Sequence, residues 1–413
     1  MGFVTKNLRA TLIASAVIGA LVGGYAMRLR ADSAGSLRSV SLSSGLLASK
    51  DATSEVSAAE YFAQIADLLK HEYVDSVTDD GKLLTGAVRG MVGSLRDPRS
   101  FYLAEQPWNA FEAARTGAYS GIGLDFALEP IRSDNDATST ILQSLPPKLV
   151  VASVVPGGPA DLAGLRAGDW VDSVDGKWVS NGDVLRRFLE ASDKFKKKQA
   201  TNEELMAIRK EYIERADHSM GPARAIDLLI LGVEGSVKVG WVRDGKTMSA
   251  TLNRRATTSK VVESQRDGSI KVKVASGLAE ALRPVLDGEP SVTIDLRNNA
   301  YGDLPSLEAA LALLGGDGAY GFLAGQPGQA PRPLTVEGKG KRSFGDLTLL
   351  VDASTRDGAR VLARALADAG KATLKGDLRD ADALVINHQS LDGGQGGYTM
   401  VVGRYQKTAE VQR

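Results

Sequence analysis

The stretch KLVVASVVPGGPADLAGLRAGDWVDSVDGKWV, residues 148–179, limits the folds open to this chain more than any other segment. An apolar, β-branched run from Leu149 to Val154 ends at the turn Pro156-Gly157-Gly158-Pro159. A short helical segment, Ala160 to Ala163, follows the turn, and Gly168-Asp169 then opens a second strand-like run. Such runs, bounded by glycine and proline, predict short strands. The segment therefore predicts a small β domain with one helical turn between two strands.

This order of elements resembles a PDZ domain, which we assign to residues 118–256. The resemblance places a carboxylate-binding loop at Gly121, Ile122, Gly123 and Leu124. Consecutive main-chain amides in such a loop bind the terminal carboxylate of a peptide, and the next strand edge accepts the peptide by strand addition. The alternative is a PDZ fold that serves only as a packing partner.

A charged segment interrupts this domain at about residues 190–224. A capping-box pair and a narrow apolar stripe predict a helix there, carried by Thr201 with Glu204 and by Leu205, Ile208 and Tyr212. We predict a helical insertion with a solvated face; the alternative is a helix that docks a partner. The segment DLLILG after it, residues 227–232, predicts a strand.

Size and charge limit the function. A chain of 413 residues predicts two or three domains. Its 50 basic and 50 acidic side chains cancel, which leaves no electrostatic basis for binding nucleic acid. Because the chain has no cysteine, it has no disulfide or thiol chemistry, although an extracytoplasmic location stays open.

The beginning of the chain predicts export. Ala10 to Met27 carries no charge and follows Lys6 and Arg9. We predict a membrane anchor or signal segment in residues 1–31, and Arg28 close behind the apolar run favours the anchor. Residues 32–56, rich in serine, alanine and glycine, predict a flexible tether. The main body would then lie in the periplasm, anchored to the inner membrane, or be exported after signal cleavage.

Two further regions complete the predicted fold class, α/β with a PDZ domain. Tyr61, Ile65, Leu68 and Leu69 follow helical spacing and predict a helical N-terminal region in residues 57–117. From residue 257 to 413 strands and helices alternate, which predicts an α/β core with a largely parallel sheet.

Taken in order, these segments resemble the C-terminal processing peptidases, also called tail-specific proteases. The resemblance is carried by YFAQIADLLKHEYVDSV, GMVGSLRDPRSFYL, the PDZ-like segment, SVTIDLRNNAYGD and ALADAGKATLKGD. It implies an α/β peptidase-like core with a serine nucleophile and a lysine general base whose pKa is lowered by burial. It also implies helical-repeat adaptor proteins as a partner class.

Both reactive positions of that family hold aspartate in this chain. The resemblance aligns Asp368-Ala369-Gly370 with an Asp-x-Gly motif that lies eleven residues after the serine and fourteen before the lysine, which gives Asp357 and Asp382. A carboxylate attacks amides poorly and cannot replace a neutral amine. In the family's oxyanion loop, Tyr301 takes the place of the glycine before Gly302, which restricts the backbone. We therefore predict a pseudoprotease.

Three other chemistries are conceivable for this site. Ser354 could attack a peptide with Lys371 or Lys375 as base, which would make the chain an active serine-type endopeptidase that cleaves proteins near their C-termini. The three histidines predict no Ser-His-Asp triad, and His388 is predicted to lie in a loop. A carboxylate cluster could share a proton or bind a cation, but nearby arginines predict ion pairing instead; these residues are Asp357, Asp377, Asp380, Asp382 and Arg356, Arg360, Arg379. No metal and no cofactor is predicted.

The sequence thus predicts a non-catalytic relative of the processing peptidases that binds protein C-termini as an envelope scaffold or regulator. Its predicted partners are C-terminal peptides, a helical-repeat adaptor or an active peptidase, and the membrane through the N-terminal segment. An oligomer stays open.

Overall fold

The computed structural model describes residues 58–77, 79–95, 97, 99–131, 145–230, 234–300, 302–378, 383–391 and 396–409. The chain divides into two compact units, Met1–Leu83 with Arg187–Arg209, and Leu84–Arg186 with Lys210–Arg413. Within the described ranges, no helix combines the length and the apolar character needed to cross a membrane. The predicted anchor and tether lie outside those ranges.

The described helices are α1 Ala58–Glu72, α2 Asp80–Gly93, α3 Glu105–Arg115, α4 Pro159–Leu162, α5 Asp183–Lys196, α6 Asn202–Ala216, α7 Pro222–Ile230, α8 Leu278–Leu286, α9 Leu304–Gly315 and α10 Asp357–Asp368. The described strands are β1 Phe101–Leu103, β2 Ala118–Gly121, β3 Leu124–Glu129, β4 Lys148–Val154, β5 Trp170–Val174, β6 Lys177–Val179, β7 Ser219–Met220, β8 Ser236–Arg243, β9 Lys246–Asn253, β10 Arg255–Thr258, β11 Val262–Ser264, β12 Ile270–Val272, β13 Ser291–Asp295, β14 Gly318–Ala324, β15 Arg332–Val336, β16 Asp346–Val351, β17 Thr373–Gly376, β18 Leu384–Ser390 and β19 Gly397–Gln406.

The first unit contains α1 and the segment around the α5–α6 turn. The predicted helix forms at α1, but its apolar stripe is not buried within the unit: Tyr61, Ile65 and Leu68 are 62%, 43% and 54% exposed. The capping box is present at the start of α6, because Thr201 N–H donates to Glu204 at 2.9 Å and Glu204 N–H donates to Thr201 Oγ1 at 3.3 Å.

The PDZ-like domain is a seven-stranded sheet in the order β3-β4-β5-β6-β7, with β8 on β5 and β9 on β8. Strands β4 and β5 form where the sequence predicted them, and their apolar residues, such as Val151 and Val171, fill one core. In this sheet β3 is an edge strand, paired on one side with β4. An unpaired edge is the surface on which strand addition takes place.

The predicted strand at residues 227–232 is wrong. Those residues that the structure describes belong to α7, which begins with Pro222 and buries Ala225, Ile226 and Leu229 on one face. Proline suits the first turn of a helix, and the spacing of these residues is helical. A short apolar run resembles a strand when the residues before it are left out of the pattern.

The second half of the charged insertion packs on the PDZ-like sheet. The Tyr212 ring lies edge-on to Trp178, with 6.2 Å between ring centroids. Arg215 forms an ion pair with Asp172 of β5 and also stacks over Trp178, 4.7 Å from its centroid. The apolar stripe of α6 therefore has a structural role in this half of the helix.

The α/β core contains a sheet in the order β11-β12-β13-β16-β17, parallel except at β11. Helices α8, α9 and α10 bury their apolar faces in the same cluster as these strands. Because Asp295 of β13 pairs with Leu350 of β16, the two strands end side by side. The described residues of the loops that follow them, 296–300 with 302–303 and 352–356, therefore meet at the carboxyl edge of the sheet, where α/β folds place their ligands.

A second sheet of the core is antiparallel, in the order β1-β19-β14-β15 with β18 on β19. It includes β1, which lies within the predicted helical N-terminal region, residues 57–117. Phe101 pairs with Thr399 and Leu103 with Gly397. A three-residue strand has too few positions to show a period of two, so only its partner β19 defines it.

Candidate functional site

The predicted carboxylate-binding loop lies between β2 and β3. Gly121 and Gly123 have φ of 123° and 73°, values that only glycine adopts without strain. The carbonyls of Ile122 and Gly123 accept hydrogen bonds from the N–H groups of Ala160 and Val155, both at 3.0 Å. Within the described residues, the N–H groups of Ile122 and Gly123 are not among the donors of these contacts. The loop is thus held through its carbonyls, and its amides are left for a ligand.

An apolar groove extends from this loop between β3 and α7. Its apolar walls include Leu124, Phe126 and Leu128 of β3 and Ile226 and Leu229 of α7. The same pocket reaches the carboxyl edge of the core sheet, where Arg99, Ala300, Asp357 and His388 line it. The apolar groove and Asp357, at the position that the resemblance assigns to the nucleophile, therefore belong to one pocket.

Asp357 begins α10 with φ of 45°, directly after the turn that follows β16. A left-handed conformation is rare outside glycine and is retained at functional turns. Its Oδ1 lies 3.4 Å from Nη1 of Arg99, and its side chain is 13% exposed. Burial raises the pKa of the Asp357 carboxyl, and the charges of Arg99, Arg356 and Arg360 oppose that rise. The position that the resemblance assigns to the nucleophile is thus occupied by a largely buried, ion-paired acid.

The loop after β13 fits closely against this turn. Arg356 N–H donates to the Asn299 carbonyl at 2.8 Å, and Asn299 N–H donates to the Ser354 carbonyl at 3.1 Å. Gly302, with φ of 122°, packs its backbone on Gly358: a Cβ on Gly358 would lie 1.9 Å from the Gly302 oxygen. The family-like loop and the start of α10 therefore form one rigid backbone contact.

Ser354 is 8% exposed, and its hydroxyl is used for structure. Its Oγ donates to Asp352 and accepts from the N–H of Asn298 at 2.6 Å. Lys371 contributes its carbonyl to Arg342 at 2.6 Å, and the side chain of Lys375 is exposed on β17. This environment gives Ser354 an acid as its nearest hydrogen-bond partner, which does not favour a Ser/Lys dyad.

His388 does not lie in a loop, as predicted, but in β18, where its ring is 5.2 Å from that of Phe111. The apolar residues Leu384, Val385 and Ile386 precede it in the strand. This run could have predicted a strand that continues to His388. Of the other predicted site residues, Asp377 is exposed. Tyr301, Arg379, Asp380 and Asp382 lie outside the described residues.

The pKa of His388 is lowered from 6.5 to about 3, first by burial and then by the charge of Arg115, against the effect of Asp303. The unfolded chain binds a proton near pH 6.5 and the folded chain does not, so the free energy of unfolding falls as the pH is lowered from 6.5 toward 3. We expect His388→Phe to reduce this slope by about 1 kcal/mol per pH unit between roughly pH 6 and pH 4. Urea unfolding at several pH values measures it; equal slopes in both proteins would contradict a buried neutral histidine.

Contacts also join the PDZ-like domain to the core beside the pocket. The side-chain amide of Asn298 pairs with both backbone groups of Val154, at 2.9 and 2.7 Å. Lys273 Nζ donates to the Tyr119 hydroxyl, and burial lowers the pKa of Lys273. Arg356 forms an ion pair with Glu129 at the end of β3. Sequence reasoning missed these contacts and Arg99, because each contact joins residues that are distant along the chain.

Among the described residues, no group of three or more histidine, aspartate or glutamate side chains is placed to hold a metal ion. The positive charges near Asp357 are those of Arg99, Arg356 and Arg360, and they oppose the charge of its carboxylate.

Two family models match the chain. A model of the PDZ domain matches residues 150–197, and a model described as the activating protease CtpB N-terminal domain matches residues 16–107. The first confirms the predicted PDZ domain.

Curated relatives are processing proteases. The carboxy-terminal processing protease CtpB of Bacillus subtilis (strain 168) is 24% identical over 312 residues, 75% of this chain and 56% of that protein. The carboxy-terminal processing protease CtpA of the same strain is 28% identical over 141 residues, 34% of this chain and 27% of that protein. A probable CtpA-like serine protease of Staphylococcus aureus (strain N315) is 25% identical over 301 residues, 72% and 51% respectively. The chain thus spans between 27% and 56% of the length of these relatives.

The fold is also similar to that of a solved structure, the photosystem II D1 C-terminal processing protease. The TM-score is 0.53 with 21% identity, covering 85% of this chain and 84% of that one. At this identity the similarity concerns the fold alone, and it confirms the predicted α/β peptidase-like core beside the PDZ domain.

Proposed function

Because the chain belongs to the C-terminal processing protease family and carries a PDZ domain, we propose that it binds the C-termini of proteins and does not cut them. One observation carries this proposal: the pocket that holds the peptide groove contains a buried acid, Asp357, where the family resemblance expects a serine. A carboxylate held by Arg99 is a weak nucleophile toward an amide.

The groove supports the binding half of the proposal. A peptide added to the edge of β3 would place its terminal carboxylate at the amides of Ile122 and Gly123 and its apolar side chains against Phe126 and Ile226. In such sites a few polar groups orient the ligand and apolar walls provide most of the affinity. Here the amides would orient the C-terminus, and the apolar walls would bury the side chains of the peptide. The alternative, an active endopeptidase that uses Ser354, finds no support in the contacts of its hydroxyl.

A labelled peptide with an apolar C-terminal residue tests the binding. We expect micromolar binding of the free-acid peptide and at least about tenfold weaker binding of the same peptide with an amidated C-terminus, because charge-assisted hydrogen bonds are lost. Fluorescence anisotropy measures both. We expect Gly123→Val to bind the free acid about tenfold more weakly, since a β-branched residue does not adopt φ of 73° without moving the loop.

Gly245→Val is the matched control. Gly245 has φ of 74° in the turn between β8 and β9, and a Cβ added there would have nothing within 4 Å, so the variant carries the same backbone strain away from the groove. Unchanged binding in this variant separates loss of the site from loss of stability. Equal affinity for the acid and the amidated peptide would contradict the proposal.

A further inference from the structure

Three polar side chains at the core end of the pocket make no side-chain hydrogen bond within the described residues. They are Arg99, Asp357 and His388, and one atom of each is buried without a partner: Nη1, Oδ1 and Nδ1. The Arg99–Asp357 pair at 3.4 Å is an ion pair without hydrogen-bond geometry. An unsatisfied buried polar group is destabilising, so three in one pocket point to a ligand rather than to a contribution to stability.

Thr399 of the antiparallel sheet is a common neighbour of Arg99 and His388, and the ion pair with Arg99 at 3.4 Å adds Asp357 to them. Thr399 of β19 pairs with Phe101 on one side and with His388 on the other, and its hydroxyl donates to the Arg99 carbonyl at 2.8 Å. The Arg99 N–H donates to Asp97 at 3.0 Å. The backbone beneath the pocket is therefore fixed before a ligand binds, which lowers the entropy cost of binding.

All three residues line the pocket, so their polar groups can meet a ligand that enters it. Arg99 supplies N–H donors, Asp357 a carboxyl oxygen, and the neutral ring of His388 its second nitrogen. A primary carboxamide complements all three, because its C=O accepts from Arg99 and its two N–H groups donate to Asp357 and His388. A carboxylate would face Asp357, an ammonium would face Arg99, and an aliphatic group would leave all three unpaired.

We propose that Arg99, Asp357 and His388 form a carboxamide-recognition subsite that binds an asparagine or glutamine side chain upstream of the C-terminus of the bound peptide. This inference rests on the proposed function, because the peptide brings the carboxamide into the pocket. Apolar side chains surround the subsite at Phe101, Phe111 and Ile386, and they would bury the methylenes of glutamine. The subsite would select among C-termini that all satisfy the carboxylate loop.

Peptides of about eight residues test it, all ending in the same apolar residue, with glutamine placed at successive positions and replaced in matched peptides by leucine or glutamate. At about 3.4 Å per residue, such a peptide spans the whole length of β3. We expect one position at which glutamine binds about tenfold more tightly than leucine or glutamate. His388→Phe and Arg99→Met should abolish this preference.

His388→Phe keeps an aromatic ring beside Phe111, so it stays informative if Arg99→Met fails to fold in a thermal melt. The matched control is His71→Phe, on the exposed face of α1, which should keep the preference. Peptide binding without a glutamine preference at any position, or a preference that survives both variants, would overturn the subsite and leave the proposed function intact. No binding of any free-acid peptide would remove both.

Discussion

Gly358→Ala is expected to lower the free energy of unfolding by about 3 kcal/mol. The added Cβ would lie 1.9 Å from the carbonyl oxygen of Gly302 and 2.5 Å from its carbon. Both neighbours are backbone atoms in a loop that Asn299 fixes on the other side, so they cannot move as a side chain would. The gain in helix propensity from glycine to alanine, about 1 kcal/mol, does not offset this overlap.

Gly90→Ala provides the matched comparison in urea unfolding. Gly90 lies within α2, and nothing lies within 4 Å of a Cβ at that position. We expect it to raise the free energy of unfolding by about 0.5–1 kcal/mol through helix propensity alone. A change in the free energy of unfolding that has the same sign in both variants would contradict the close contact between the loop after β13 and the start of α10.

The order of elements could be predicted from the sequence because each follows a local pattern. The glycine and proline turns around Pro156 marked the PDZ strands, and alternation of strands and helices marked the parallel sheet. The α7 segment was misread because its apolar residues were considered without Pro222, and β1 was missed because three residues show no period. In both cases the residues that the segment packs against decide whether it forms a helix or a strand.

The candidate site was predictable only in part. The resemblance located Asp357, because the family's serine lies eleven residues before the Asp-x-Gly motif that Asp368 begins, and both residues lie on α10. Arg99 and His388 could not be found in this way, because the pairing of β1, β18 and β19 brings together residues almost 300 positions apart. Burial and the charge of Arg115 keep His388 neutral, and both Arg115 and the ring of Phe111 that packs on His388 belong to another element, α3.

Restoring both reactive groups is expected to create hydrolysis where one alone does not. Asp357→Ser places a hydroxyl on the left-handed turn at the start of α10, where the helix N-terminus stabilises a developing anion. Without a base that hydroxyl is a weak nucleophile. Asp382 lies fourteen residues after Asp368, where the resemblance places the family's lysine. Adding Asp382→Lys should raise the rate at which a denatured protein is cleaved at least about 100-fold over Asp357→Ser alone, because a general base usually contributes a factor of this size.

Asp357→Ser with Asp377→Lys makes the same change of charge on an exposed residue of the same return segment, and it should remain as inactive as Asp357→Ser alone. Release of labelled fragments measures all of these proteins. The unmodified chain is expected to give none, and Ser354→Ala is expected to behave as the unmodified chain does. Turnover by the unmodified chain that Ser354→Ala abolishes would show that the hydroxyl now donating to Asp352 leaves that acid during catalysis, and the pocket would then cut the peptides that we propose it holds.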